Sequence, residues 1–391
     1  MTTEADWLLS PGAIRQQCSA LFDLGVAGEL EYFAVHLDRL SACAREVVAT
    51  IHTNYPDLNV PPHARWRHFL IDGEDRWMRH GKRLSSDPRE RARVEFELAI
   101  LSVLLDAGAG AAWTYRDPAS GARYARSEGL ALASLDMFVG GSFGACDATA
   151  LKGFTARDLA LGFQVSDENP LEGLAGRAAL ISALGGVVAT RPDVFGAEKR
   201  LGGLADFLID SAGPDLEAKR ILMTLLDVLG PVWPGTLELD GRLLGDCWRH
   251  PQAPRSGFVP FHKLSQWLSY SLLEPLARAG ISVTGLEELT GLAEYRNGGL
   301  FVDSGVLELK VADPGPVPPQ SALVVEWRAL TVSLLDRVAD LVRAELGKSA
   351  DEMPLAAVLE GGTWATGRRL AQQKRAGGAP PIEIVSTGTV F

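Results

Sequence analysis

The sequence predicts a mainly α-helical protein with a few short strands, and three observations carry that prediction. Apolar residues recur at three- and four-residue spacing through most of the 391 positions, the period of one helix face. Glycine and proline punctuate the chain between these stretches. A hairpin pattern appears in one place, TLELDGRLLG, around an Asp-Gly turn.

In order along the chain, the helical period runs from Ser10 to about Thr53 and ends at Asn54-Tyr55-Pro56. A polar, proline-bearing loop follows to Arg65. Pro88 to Ala107 is a strong helix, with Leu98, Leu101, Leu104 and Leu105 on one face. The glycine-alanine run from Ala107 to Ala112 reads as its close-packed end or a turn. Further helices cover Ser127–Phe138, Ala156–Phe163, Leu171–Ala189 and Leu216–Leu229, the last stopped by Gly230-Pro231. Phe261–Ala279 is helical, with Pro275 expected to kink or end it. Thr284-Gly285-Leu286-Glu287 fits a capping box, starting a helix that turns Leu286, Leu289 and Leu292 inward and stops at Asn297-Gly298-Gly299. Residues 312–320 form a linker-like loop, Ser321–Leu346 a long amphipathic helix, and 361–391 a short helix with a polar end. No internal repeat is present. The organisation is one helical domain over 1–391, or two lobes of about 1–230 and 231–391.

Composition narrows the function. The chain is 47% hydrophobic and 22% charged, as a globular protein with ample core should be. Its net charge of −11 argues against nucleic acid or an anionic membrane as partner, since both select basic surfaces. A local basic pocket for one small phosphate remains compatible with it. The four cysteines, Cys18, Cys43, Cys146 and Cys247, are scattered and form no CxxC pair, which suits neither a disulfide framework nor a zinc ribbon. The N-terminal residues show no basic segment followed by an apolar run, so the expected compartment is the cytoplasm. No run approaches the roughly 20 apolar residues of a membrane span.

Several long runs carry a family resemblance: RWRHFLIDGEDRW, FQVSDENPLEGLAGR, GDCWRHP, VPFHKLSQWLSYSLLEPL, LTGLAEYRNGGLFVDSGVL and the close from GGTWATGRRLA to GTVF. On these, the chain resembles the uracil catabolism protein 4 family. The resemblance implies a part in uracil breakdown through a ring-opened ribosyl intermediate. The motif order also resembles, more distantly, the queuosine-salvage nucleotide N-glycosidases, which implies a DNA-glycosylase-like helical core. There, Phe261-His262-Lys263-Leu264-Ser265-Gln266 matches a phenylalanine-tyrosine-lysine-arginine-alanine-glutamine run. Leu289-Thr290 and Ala293-Glu294-Tyr295-Arg296 match a leucine-threonine … alanine-aspartate-tyrosine-arginine pattern, Glu326-Trp327-Arg328-Ala329 a glutamate-x-arginine-alanine helix, and Trp364 a final tryptophan. Two positions depart: Glu294 is one methylene longer than aspartate, and Ser271 stands near the place of a second acid.

N-glycoside cleavage builds positive charge on the sugar, and a fixed carboxylate both stabilises that charge and orients water. Glu294 is the candidate for this role; by its residues alone it is a solvated helix glutamate paired with an arginine. Lys263 and Gln266 lie three apart on one helix and project to one side. Lysine suits a phosphate or ribose oxygen, and glutamine a urea or base edge; otherwise Lys263 is a surface lysine. Tyr295, Arg296, Arg328 and Arg368 are candidate substrate contacts, because the guanidinium fork matches phosphate oxygens, although arginines mostly make ordinary ion pairs. Trp364 is a candidate stacking surface. In Ser166-Asp167-Glu168-Asn169-Pro170, Asn169 reads as a helix cap and Asp167 as a secondary ligand.

No metal is expected. His63 and His68 are five apart, followed by Asp72 and Asp75, and no HExxH-type spacing occurs. GGSFGA at Gly140 is no dinucleotide fingerprint, so no cofactor is expected. The partner is a small nucleotide-like substrate. Cys247, three residues from His250, supports an alternative: a cysteine-dependent or metal-free amidohydrolase of a ureido compound. A non-catalytic partner that binds a pathway intermediate is the third class.

Overall fold

The computed structural model describes residues 3–81, 85–110, 112–212, 215–233, 237–312 and 314–385. The closing GTVF string and parts of the Ala107–Ala112, Gly235 and 312–320 segments lie outside these. The described chain is mainly helical, with its strands in two-stranded pairs. Among the described residues no helix is long and apolar enough to cross a membrane.

The chain groups into two compact units. The first comprises 1–63, 236–266 and 285–385; the second 64–235, 267–284 and 386–391.

In the first unit the axis is the helix Ala322–Leu346. From Leu323 to Leu335 every residue on it is buried, because helices Pro11–Ala27 and Leu40–Asn54 pack along it. The long helical period after Ser10 is therefore two helices. Gly28, at φ +80°, ends the first in the left-handed conformation that glycine adopts without a Cβ penalty. The strand Phe33–Val35 then pairs antiparallel with Leu307–Leu309. The expected hairpin forms, Glu238–Leu239 against Arg242–Leu243, and the turn residues Asp240 and Gly241 both have positive φ, as its tight geometry demands. Cys247–Arg249 pairs with Phe258–Pro260.

Two corrections bear on the site. Thr284 caps no helix; it pairs in parallel with Glu217 inside the second unit. The helix here is Tyr295–Asp303, beginning where the sequence predicts an ending, and Asn297-Gly298-Gly299 lies within it. Gly298 explains why: a Cβ there would sit 2.7 Å from the Trp327 indole, so glycine permits close helix packing instead of breaking the helix. This helix packs most extensively on Trp364–Lys374.

The second unit is built on Pro88–Leu104, packed by Arg126–Val139, Gly203–Ser211 and Leu174–Thr190. Arg177, fully buried, donates to the carbonyls of Glu172, Leu105, Ala107 and Gly108, answering buried backbone acceptors in the segment that follows that helix. Lys263–Arg278 starts in the first unit and continues in the second, and Pro275 is accommodated inside it. Asn169 is not a cap. Its side chain bonds the Thr114 backbone and the Gln164 carbonyl, and the helix after it starts from Gly173.

Candidate functional site

Within the first unit, Asp246 organises the polar core. Its carboxylate accepts the Arg328 fork at 2.7 and 2.8 Å, the Trp248 indole N–H at 2.7 Å and the Lys263 backbone N–H at 3.0 Å. Burial alone would raise this carboxyl, but the Arg328 charge and the converging donors overcome it and hold it at about 2. The Asp246 carbonyl accepts from the Phe261 and His262 amides. His262 adopts φ +47°, and the helix carrying Lys263 begins at the next residue. Arg328 also donates to the Ala293 carbonyl at 3.2 Å and lies over the Phe261 ring. It is thus a fixed strut between the lysine helix and the approach to Glu294.

Glu294 is the N-cap of helix Tyr295–Asp303. Its two carboxylate oxygens accept from the Arg296 amide at 2.7 Å and the Asn297 amide at 2.5 Å. Each oxygen keeps a further acceptor site, and the residue is 9% exposed. Burial raises its pKa, opposed by the two amides and then by the charges of Lys263 and Arg296. Asn297 locks the cap from behind, donating to the Leu292 carbonyl and accepting from Thr363 Oγ1 at 2.8 Å.

The other predicted residues take different settings, and not all share a unit with this carboxylate. Lys263 is half-buried and near enough to act on the Glu294 charge. Gln266 is fully enclosed; its Oε1 accepts from the Thr290 amide at 3.4 Å, and its Nε2 has no hydrogen-bond partner among the described residues. Tyr295 is half-buried, with the Arg296 guanidinium 4.8 Å over its ring. Trp364 opens the helix on which Gly367 meets the Arg296 carbonyl, and Arg368 lies over its indole at 5.5 Å. Asp167 belongs to the second unit and is exposed in its turn.

The histidines and Cys247 have structural settings. His262 is buried and bonded to the Leu8 carbonyl, and burial lowers its pKa, which keeps it neutral. His250 is buried beside Glu326. Cys247 is completely buried in its strand, and burial pushes its thiol pKa far up. A thiolate nucleophile requires the reverse.

Sequence reasoning missed Asp246. It stands inside GDCWRHP, where cysteine and histidine drew the chemical reading, and its partners Lys263 and Arg328 come from 17 and 82 residues away. It also missed the pair of His63 and Glu360, 2.6 Å apart. Glu360 sits on a π-turn, Leu359–Thr363, immediately before Trp364.

Taken together, one unit presents a rigid, nearly buried carboxylate with a cationic lysine and an arginine near it, on a helix N-terminus. Such an arrangement can stabilise positive charge at one point and hold an anionic group beside it.

A family model described as "Protein of unknown function (DUF1688)" matches residues 7–391. The chain is 37% identical to Protein urg3 of Schizosaccharomyces pombe over 406 residues, covering 98% of each chain. It is 35% identical to Uracil catabolism protein 4 of Lachancea kluyveri over 435 residues, again 98% of each. This chain therefore belongs to the DUF1688 family, the uracil catabolism protein family that holds both of these relatives.

Proposed function

We propose that the protein acts in uracil catabolism, as the name of its Lachancea kluyveri relative suggests, by hydrolysing the N-ribosidic bond of a ring-opened ribosyl intermediate, ribosylurea or its 5′-phosphate. The observation that carries this reading is Glu294: a carboxylate pinned by two backbone amides, with acceptor capacity left over and Lys263 nearby. In the reaction, the bond from the anomeric carbon to the urea nitrogen breaks while water adds to that carbon. One proton of the water ends on urea, and ribose or its phosphate is released. Glu294 stabilises the developing sugar cation and guides the water. Lys263 and Arg296 bind the sugar or its phosphate, Tyr295 and Trp364 give an apolar wall, and Gln266 and Arg328 hold the lysine helix in place.

The test is incubation of purified protein with ribosylurea and with its 5′-phosphate. Release of urea supports the glycosidase. Ammonia and carbon dioxide instead would overturn it in favour of an amidohydrolase, and saturable binding without turnover would overturn it in favour of a binding partner.

A further inference from the structure

Between the helical turn Leu355–Val358 and the helix Trp364–Lys374 the backbone widens into the π-turn Leu359–Thr363. One extra residue in a helix rotates everything after it by about 100°, and such insertions recur at functional sites. Both polar side chains of this turn reach other segments of the first unit. Glu360 accepts from the Tyr55 hydroxyl at 3.3 Å and pairs with His63 at 2.6 Å. Thr363 Oγ1 donates to Asn297 Oδ1 at 2.8 Å, and among the described residues no other donor reaches that oxygen. Asn297 and Thr363 are both completely buried. Behind the turn there is no slack. A Cβ on Gly362 would lie 2.4 Å from Val47 Cγ1, and one on Gly361 3.0 Å from Val60 Cγ1, so the two glycines let the backbone sit directly against these side chains. Thr366 Oγ1 then donates to Thr50 Oγ1 at 2.8 Å, fastening the following helix to Leu40–Asn54.

From Thr363 the chain of contacts reaches the carboxylate in two steps. Asn297 supplies the backbone amide that Glu294 Oε1 accepts at 2.5 Å, while its side chain is held at both ends, by the Leu292 carbonyl and by Thr363. Those two side-chain bonds fix where the amide points. A buried amide oxygen that loses its donor is left unsatisfied; it must turn toward another donor, and the backbone of the same residue follows. We infer that Thr363 is a positioning residue: through Asn297 it holds the Glu294 carboxylate in the orientation that stabilises charge on the sugar. The inference rests on the hydrolase reading above for what that carboxylate does, and on the hydrogen bonds alone for how it is held.

Two variants of the full chain test it: Thr363→Val, which keeps the shape and removes the hydroxyl, and Thr363→Ser, which keeps the hydroxyl. With ribosylurea or its 5′-phosphate, Thr363→Val should lower kcat for urea release by about 10- to 100-fold, the scale of a misplacement of about 1 Å, with KM within about twofold. Thr363→Ser should recover most of that loss. In a Glu294→Gln background, Thr363→Val should cost no more than about twofold further, because a residue that works through the carboxylate has nothing left to position. A loss that multiplies undiminished in that background, or wild-type turnover in Thr363→Val, overturns the inference. Should Thr363→Val not fold by circular dichroism, Gly362→Ala carries the same expectations, since it pushes the turn off Val47 with the Thr363 hydroxyl intact. An isotope-edited NMR titration of the glutamate carboxyls, with the Glu294 signal assigned by its loss in Glu294→Gln, reads the link without turnover. Lys263 and Arg296 are the charges that act on this group. With both unchanged, loosening the Asn297 amide should raise the Glu294 pKa in Thr363→Val, and Thr363→Ser should return it. If the wild type releases no urea but the titration moves in this way, the hydrolase reading fails and Thr363 still positions the carboxylate. If urea is released and neither rate nor titration responds to Thr363→Val, the hydrolase reading stands and this inference falls. With neither urea nor a shift, both fall.

Discussion

Replacing Asp246 by asparagine should cost the first unit more stability than almost any other single polar change. The carboxylate collects four donors: two from Arg328, one from Trp248 and the Lys263 amide. Asparagine offers one acceptor oxygen and turns an NH2 toward one of those donors, leaving Arg328 buried without its counter-charge. Removing one member of a buried pair typically costs about 3–5 kcal/mol. An independent figure comes from linkage: a carboxyl held at about 2 against an ordinary 3.8 contributes roughly 2.5 kcal/mol. The two agree on about 3 kcal/mol. At about 2–4 °C per kcal/mol for bodies of 150–250 residues, the melting point should fall by roughly 6–12 °C.

The pH dependence supplies a second check. Because the folded pKa is depressed, this contribution is complete above 3.8 and is lost as pH falls through about 2. Thermal melts of wild type and Asp246→Asn between pH 5 and pH 2 should therefore converge toward the acid end. Subtracting one from the other removes the other carboxylates. A loss below about 1 kcal/mol at neutral pH, or a difference that stays constant down to pH 2, would refute the reasoning. The double variant Asp246→Leu/Arg328→Met should be more stable than Asp246→Asn, since removing both charges leaves neither buried alone.

Glu294→Gln should reduce turnover by about 10²–10⁴-fold with ligand binding retained; wild-type rates for urea release would leave the residue no chemical role. Burial raises the Glu294 pKa above 4.5, so its contribution to stability is present below 4.5 and lost as pH rises through the folded value. In the proposed mechanism the ionised form acts, so kcat/KM should fall on the acid side at a pH above 4.5, and this limb should vanish in Glu294→Gln. Cys247→Ala should keep its rate within about twofold and lose about 1 kcal/mol in urea unfolding; abolished turnover would restore the thiol mechanism. Gly367→Ala should melt below wild type, because its Cβ would fall 2.2 Å from the Arg296 carbonyl. Overpacking of about 1–3 kcal/mol exceeds the helix-propensity gain of about 1 kcal/mol, and a melting point at or above wild type would contradict that balance.

Local signals gave the helices and the hairpin because their causes are local. The Asp240-Gly241 turn needs two positive φ angles, and its residue pair announces them. Where contacts distant in sequence decide, the local signal misleads. Phe33–Val35 breaks the long N-terminal helical period because it pairs with a strand near residue 308. Asn297-Gly298-Gly299 has the composition of a helix stop, yet Trp327 requires a glycine there in mid-helix. Lys263, Glu294 and Arg328 were nominated by motif order, and the structure links them through hydrogen bonds and charge in one unit. Asp246 escaped notice for the same reason in reverse: its role is defined by partners that no spacing rule connects to it.

Capping alone does not account for a glutamate at position 294. Helix N-caps favour asparagine, aspartate, serine and threonine, whose short side chains reach the N2 and N3 amides with little rotamer entropy to lose. Glutamate reaches the same amides with one more rotor to freeze, and in this setting burial works against its charge. A serine would cap the helix without that burden. The surplus, a charged group kept nearly dry beside Lys263 with acceptor sites beyond those the helix uses, is what chemistry on a sugar cation requires and what a cap does not. Glu294→Ser therefore separates the two demands: it should leave the helix and the melting point nearly intact while removing the reaction.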